Sequence, residues 1–465
     1  MARGTAEKNE GRWLPNLKAT SGPIYHGIVE ALADDIKAGR LKAGDSMPSQ
    51  RDLADRLGIN FTTVTRAYDE ARSRGLIVAR AGQGTFVRAV EPIKRARDDA
   101  LLDLASNWPP IVPALSAIGE ALSAIGSEKG AQAVEYRGEA PDPASLEAGR
   151  RWIANIFHED VGDRLSISAG TRGALIAVLS QAVGPGGVML TEALTWPAIK
   201  AVARLLGIKL IGVEMDDEGI LPEAFEKACR THAAKALYCT PTLQNPTGAV
   251  MSMERRRRIA DIARIEGVLL VEDDAYGQLT PDAPPPIAAL APDVVIYVSG
   301  LAKVLASGLR IGYVVCPDFG TAQQITERLR FTMLVPPPIE AAIATRVILS
   351  GAANAILNEI RAEMKTRHHL FRTIVGNTGT KTFAGALHAF LTLPAKWPRA
   401  EFLNALSRKG VRAAPSDSFA ISPSDAPNAL RLSIGAPATA DDLRQALSVI
   451  SALYEGEAAF TSGIV

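Results

Sequence analysis

The sequence predicts two folded parts, a small α+β head and a large α/β body built on a mostly parallel sheet. Residues 24–88 hold three short helical patterns followed by two β runs around a glycine-rich tip. From Leu101 onward, helical patterns alternate with short apolar runs, the rhythm of strands joined by crossover helices. The charge is also divided: residues 1–97 carry 17 Lys and Arg against 11 Asp and Glu, while the rest carries 34 against 39. A basic head on an acidic body assigns any contact with a polyanion to the head.

A length of 465 residues suits two or three domains, and 47% hydrophobic with 22% charged residues leaves room for a large core. The polar start, Met1 to Glu10, lacks an apolar signal segment, and no later run is long and uncharged enough to span a bilayer. Cys229, Cys239 and Cys316 stand without close pairing. That argues for a reducing, cytoplasmic setting and against a disulfide framework or a zinc site.

In the head, Ile24, Ile28, Leu32 and Ile36 make a helical stripe that Gly39 ends. Ser49 can cap a second helix through Leu53 and Leu57, stopped by Gly58, and Asn60 a third from Phe61 to Arg74. Two short helices joined by Gly58-Ile59-Asn60 are the helix-turn-helix pattern. Leu76–Arg80 and Thr85–Arg88 then form a hairpin, a wing with Gly82, Gln83 and Gly84 at its tip. The start of the third helix offers Thr62, Thr63, Thr65 and Arg66 to base edges and phosphates, and Arg51 is placed to meet the DNA backbone. Pro48-Ser49-Gln50-Arg51-Asp52-Leu53-Ala54 with this wing resembles the winged helix of GntR-type bacterial regulators, which implies a double-stranded DNA operator as partner. Residues 1–22 read as a tail, 23–88 as the winged helix-turn-helix, and 89–101 as a charged tether.

In the body, from residue 102 to 465, ligands are expected beyond the carboxyl ends of strands. Five apolar runs are followed by informative residues. After Leu165–Ser168 come Gly170, Thr171 and Arg172, opening a helix from Ala174 to Ala182 and presenting N–H groups to an anion. After Val188–Leu190 comes Trp196, able to stack on a flat ring. After Ala236–Cys239 comes Asn245 in Asn245-Pro246-Thr247-Gly248, a directed amide donor. After Gly267–Val271 come Asp273 and Tyr276, suited to a cationic ring nitrogen and a phenolate oxygen. After Val294–Val298 come Ser299, Lys303 and Arg310, the lysine among small residues that keep water away and favour a Schiff base.

Pyridoxal 5′-phosphate uses that whole set, with its aldehyde, phenolic oxygen, ring nitrogen and phosphate. The body resembles the fold-type I aminotransferases, an α/β fold with a C-terminal α+β subdomain. The resemblance implies that Lys303 forms the internal aldimine, that Asp273 pairs with the pyridinium, and that Asn245 and Tyr276 hold the phenolic oxygen. It likewise implies a phosphate cradle of Gly170, Thr171, Arg172 and Arg310, with Trp196 stacking on the ring. Arg431, in Leu430-Arg431-Leu432-Ser433, would grip an amino acid's carboxylate, and Tyr136 would reach the neighbouring subunit's phosphate. The chain departs from the family at Gly300 and Ala302, where hydroxyl side chains are common; Ser299 is the candidate replacement for one of them, with Ser307 open as another.

Head and body together resemble the MocR branch of the GntR regulators. The resemblance implies a dimeric, pyridoxal phosphate-dependent transcriptional regulator that senses an amino acid or amine through an external aldimine, Arg431 holding its carboxylate. A working aminotransferase with a DNA-docking head is the alternative, since carbon-acid chemistry needs the same lysine and aspartate. A sensor of the cofactor alone is the third reading.

Overall fold

The computed structural model describes residues 13–17, 23–42, 44–80, 84–87, 101–130, 135, 141–333, 335–377 and 379–456. The chain divides into two compact units, residues 1–99 and residues 100–465.

The first unit contains α1 (Ile24–Lys37), α2 (Gln50–Leu57), α3 (Phe61–Ser73) and the antiparallel strands β1 (Ile77–Arg80) and β2 (Gly84–Val87). The caps fall where the sequence places them. Ser49 Oγ accepts from the Asp52 N–H at 3.1 Å, and Asn60 Oδ1 accepts from the Thr62 N–H at 3.0 Å. Each such cap contributes about 1 kcal/mol by satisfying an orphan donor of the first turn. Gly58 ends α2 at φ 64°, a left-handed value that a side chain would resist. Ile28, Leu32, Leu53, Val64, Ala67, Tyr68 and Ile77 close the core. The buried Tyr68 hydroxyl donates to the Pro48 carbonyl at 2.8 Å, locking the chain just before α2.

The second unit is organised by a seven-stranded sheet. Its strands are β3 (Leu165–Ser168), β4 (Val188–Glu192), β5 (Lys209–Val213), β6 (Ala236–Cys239), β7 (Leu269–Asp273), β8 (Val295–Gly300) and β9 (Gly312–Val315), in the order β3-β9-β8-β7-β6-β4-β5. Strands β4 to β8 pair in parallel, whereas β9 runs antiparallel to both β8 and β3. The sheet is therefore mixed. The link from β8 to β9 is only residues 301–311 and contains no crossover helix, so the next strand must return antiparallel. β3, β4, β6, β7 and β8 consequently end on the same edge. Apolar side chains cover both faces of the sheet, with Leu237, Leu270 and Tyr297 on one and Val271, Ile296 and Val298 on the other.

Helix α4 (Gly170–Ala182) begins four residues before the expected Ala174, so Gly170, Thr171 and Arg172 form its first turn. A second sheet, all antiparallel, is built from β10 (Thr380–Lys381), β11 (His388–Thr392), β12 (Ala414–Pro415) and β13 (Ala429–Ser433), in the order β10-β11-β13-β12. Helices Ala352–Val375 and Ala440–Glu455 belong to this C-terminal α+β part. Leu102–Asp103 pairs in parallel with Val411–Arg412, which stitches the start of the body to its C-terminal part. Among the described residues no single helix is long and apolar enough to cross a membrane. All three cysteines are buried and free.

Candidate cofactor and effector site

A cavity of about 670 Å³ opens at the carboxyl edge of the large sheet. Of the residues singled out in the body sequence, Gly170, Thr171, Arg172, Trp196, Asn245, Asp273, Tyr276, Lys303, Arg310 and Arg431 all reach its wall. Strand order explains the convergence: runs far apart in sequence become neighbours, and each ends in a loop beside the next.

Lys303 lies just beyond the end of β8. Its Nζ donates to the Asn107 carbonyl and lies 4.3 Å from the centre of the Trp108 ring. Burial, and then the charges of Arg431 and Arg310, bring the amine down to about 7, with Asp273 opposing them. Near neutral pH a large fraction is therefore the free base, the nucleophilic form.

Asp273 is the last residue of β7. Its Oδ2 accepts from the Tyr238 hydroxyl at 2.6 Å, but its buried Oδ1 has no hydrogen-bond partner among the described residues. Burial pushes the carboxyl up to about 6. A buried carboxylate oxygen without a donor fits a cationic N–H brought by a ligand.

Arg431, on β13, donates to Asn245 Oδ1 at 3.3 Å and to the Ala105 carbonyl, and its guanidinium carbon lies 5.2 Å over the Phe419 ring. Its Nε is buried with no partner among the described residues. Burial lowers the guanidinium pKa, yet arginine stays charged, so an anion is the matching ligand. The first turn of α4 faces the same cavity, with Arg172 5.7 Å from the Trp196 ring centre and Arg310 5.6 Å from that of Trp108. The helix N-terminus and two guanidinium groups are a cradle for a phosphate-sized anion. The residue set thus fits pyridoxal phosphate: an amine, an unpaired carboxylate oxygen, oxygen-directed donors, an aromatic wall and an anion cradle.

Gly300 has a spatial reason. A Cβ there would lie 2.8 Å from Thr171 Cγ2 and 3.0 Å from the Ile311 carbonyl oxygen, so Thr171 occupies the space a hydroxyl side chain would need. Ser299 does not supply the missing hydroxyl at the cavity wall. It is buried on β8 opposite Tyr313, and strand alternation turns it away from the site. Tyr136 lies outside the described residues. The sequence reading missed Asn107, Trp108, Tyr238 and Phe419, all on the wall. Trp108 stands in Asn107-Trp108-Pro109-Pro110, a rigid stretch that could have drawn notice, whereas Tyr238 inside an apolar strand reads as core.

On the head, Arg51, Thr62 and Arg66 are exposed and Thr63 is half-buried. The Thr62 hydroxyl donates to Asn60 Oδ1 at 2.9 Å, and Arg66 lies 4.2 Å over the Tyr25 ring. Thr65 departs from expectation: its half-buried hydroxyl bonds Gln50 Oε1 at 2.9 Å, joining α3 to α2. Gly84 is exposed with φ 109°. Gly82 and Gln83 lie outside the described residues.

Residues 101–450 match the family described as aminotransferase class I and II, and residues 24–87 match bacterial regulatory proteins of the gntR family. The HTH-type transcriptional regulator YdeF of Bacillus subtilis is 28% identical over 454 residues, covering 95% of this chain and 97% of its own. The HTH-type pyridoxine biosynthesis transcriptional regulator PdxR of Corynebacterium glutamicum is 26% identical over 382 residues, covering 78% and 82%. Among solved structures, an archaeal alanine:glyoxylate aminotransferase superposes with a TM-score of 0.70 at 25% identity, covering 76% of this chain and 90% of its own.

Proposed function

The chain belongs to the aminotransferase class I and II family and carries the gntR-type head of the MocR regulators, and on that premise we propose a cytoplasmic transcriptional regulator whose body reads an amino-bearing metabolite. The head binds DNA, with Arg51 and Arg66 at phosphates and the start of α3 at base edges. The body holds pyridoxal phosphate: Lys303 at the aldehyde, Asp273 at the ring nitrogen, Asn245 and Tyr276 at the phenolic oxygen, and the α4 turn with Arg310 at the phosphate. When bound, pyridoxal phosphate supplies an aldehyde that condenses with amines.

The observation that carries this reading is the coexistence, in one cavity, of a lysine near neutrality and two buried polar atoms without partners among the described residues, Asp273 Oδ1 and Arg431 Nε. An amino acid would suit both ends: its amine would be the kind of group the cofactor's aldehyde accepts where Lys303 stands, and its carboxylate would pair with Arg431. Freed Lys303 and engaged Arg431 define a second state of the body, and a ligand that binds the two states unequally shifts their balance. A homodimer would present two heads to an operator.

A titration of the cofactor-loaded protein with amino acids and amines, followed at once by visible absorption and by operator affinity, tests this. A binder should change both. A changed spectrum with constant operator affinity would remove the regulatory half. The retained Lys303 and Asp273 pair favours one second reading, a working aminotransferase, which enzyme-like turnover of an amino donor would support.

A further inference from the structure

Asn107 lies outside the residue set that the motifs supplied, yet it links Lys303 and Tyr276 on the cavity wall to His388 and Ser433 behind it. Its carbonyl accepts from Lys303 Nζ. Its amide nitrogen lies 3.1 Å from the Tyr276 hydroxyl oxygen and 3.1 Å from His388 Nδ1. Its Oδ1 accepts from the Ser433 hydroxyl at 3.2 Å.

The directions of these bonds constrain one another. His388 Nε2 lies 3.0 Å from the Gln244 carbonyl oxygen, which can only accept, so Nε2 carries the ring proton. Burial, and then Arg431, bring the His388 pKa down to about 3, so the ring is neutral and Nδ1 is an acceptor. Asn107 must then point its amide nitrogen at His388, and the second hydrogen of that nitrogen goes to the Tyr276 oxygen. Because that oxygen accepts from Asn107, the Tyr276 proton is not spent on Asn107; the hydroxyl also has Asn245 as a side-chain hydrogen-bond partner, and Tyr276 lines the cavity.

We propose that Asn107, oriented by His388 and Ser433, is a positioning residue that aims the Tyr276 hydroxyl proton at the ring oxygen of the bound cofactor. The proposal rests on the reading of this cavity as a pyridoxal phosphate site. A donor on that oxygen favours the form in which its negative charge is not already offset by a proton on the neighbouring Lys303 nitrogen. Asn107 thereby helps to set the pH at which the Lys303 nitrogen, once joined to the aldehyde, gives up its proton. The charged groups facing that nitrogen are Asp273 from β7, Arg310 from the loop before β9 and Arg431 from β13, and all remain in the variants below.

The test is the visible absorption of the pyridoxal phosphate-loaded full chain, titrated from about pH 5 to about pH 10, a range that brackets the Lys303 transition. Asn107→Ala should raise the midpoint by about one pH unit, a tenfold change in proton affinity. Tyr276→Phe should raise it at least as far. Adding Asn107→Ala to Tyr276→Phe should then change nothing further, because the group through which Asn107 acts is gone. Asn107→Asp keeps the side-chain size and should raise the midpoint more in the native background than in the Tyr276→Phe background. Equal shifts in both backgrounds, or a lower melting temperature with an unmoved midpoint, would overturn the proposal. A protein that stays colourless with pyridoxal phosphate would overturn the cofactor reading as well, and colour loss is distinct from a displaced midpoint.

Discussion

In the head, Arg51, Thr62 and Arg66 stand at the surface of short helices, whereas in the body Asp273 and Arg431 are buried and Lys303 is half-buried beside them, all three on the wall of one cavity. The two regions use charge in different ways. A surface arginine meets phosphate by displacing counterions, contributes a modest and salt-dependent increment, and carries on alone when its neighbour is lost. Charges buried together depend on one another, because removing one leaves the rest without compensation. Substitutions should therefore act in small, additive steps in the head and in large, specific steps in the body.

Asp273→Asn puts the contrast under the greatest strain. It removes the carboxylate beside Lys303 and should weaken pyridoxal phosphate retention about 100-fold or more, in line with the roughly 3–5 kcal/mol cost of breaking a buried charge pair. Equilibrium dialysis of the cofactor checks this, and operator affinity of the cofactor-free protein should stay constant. Arg431→Ala should come next. Affinity for α-amino acids should fall about 30-fold, close to 2 kcal/mol for a charge-assisted contact, while amines lacking a carboxylate bind as before. Uniform loss for both ligand classes would contradict the carboxylate assignment.

A pH series sharpens the body side. Only the free amine of Lys303 reacts, so the rate of cofactor capture should rise about tenfold per pH unit below about 7 and level off above it. A midpoint near that of a solvated lysine would show that the cavity does not strip the amine of water. The smallest effects belong to the head. Arg51→Ala and Arg66→Ala should each weaken operator binding a few-fold and lower the salt slope by about 1, leaving the visible spectrum unchanged.

Much of this contrast was legible in the sequence. Asp273, Asn245, Lys303 and Arg310 each stand at or beyond the end of an apolar run, and a parallel sheet gathers the residues at its carboxyl edge. The caps at Ser49 and Asn60 were equally local, because a cap acts within three residues. The features that escaped were set by long-range pairing. Asn107 and Trp108 reach the cavity beyond Leu102–Asp103, which pairs with Val411–Arg412 some three hundred residues away. Thr65 has the side chain of a groove reader, and only the packing of α2 on α3 shows its hydroxyl held by Gln50. At Gly300 the sequence showed a missing hydroxyl, and the geometry gives the reason, Thr171 in the space it would fill. The antiparallel β9 went unrecognised because an apolar run carries no sign of its direction.

The most direct test of the account is the visible spectrum of the purified protein with pyridoxal phosphate, compared with that of Lys303→Ala. The native chain should turn yellow and keep its colour through gel filtration, and the variant should lose the band while still binding DNA through its head. A colourless native protein, or a variant that retains the same band, would contradict the assignment of Lys303 as the residue that joins the cofactor.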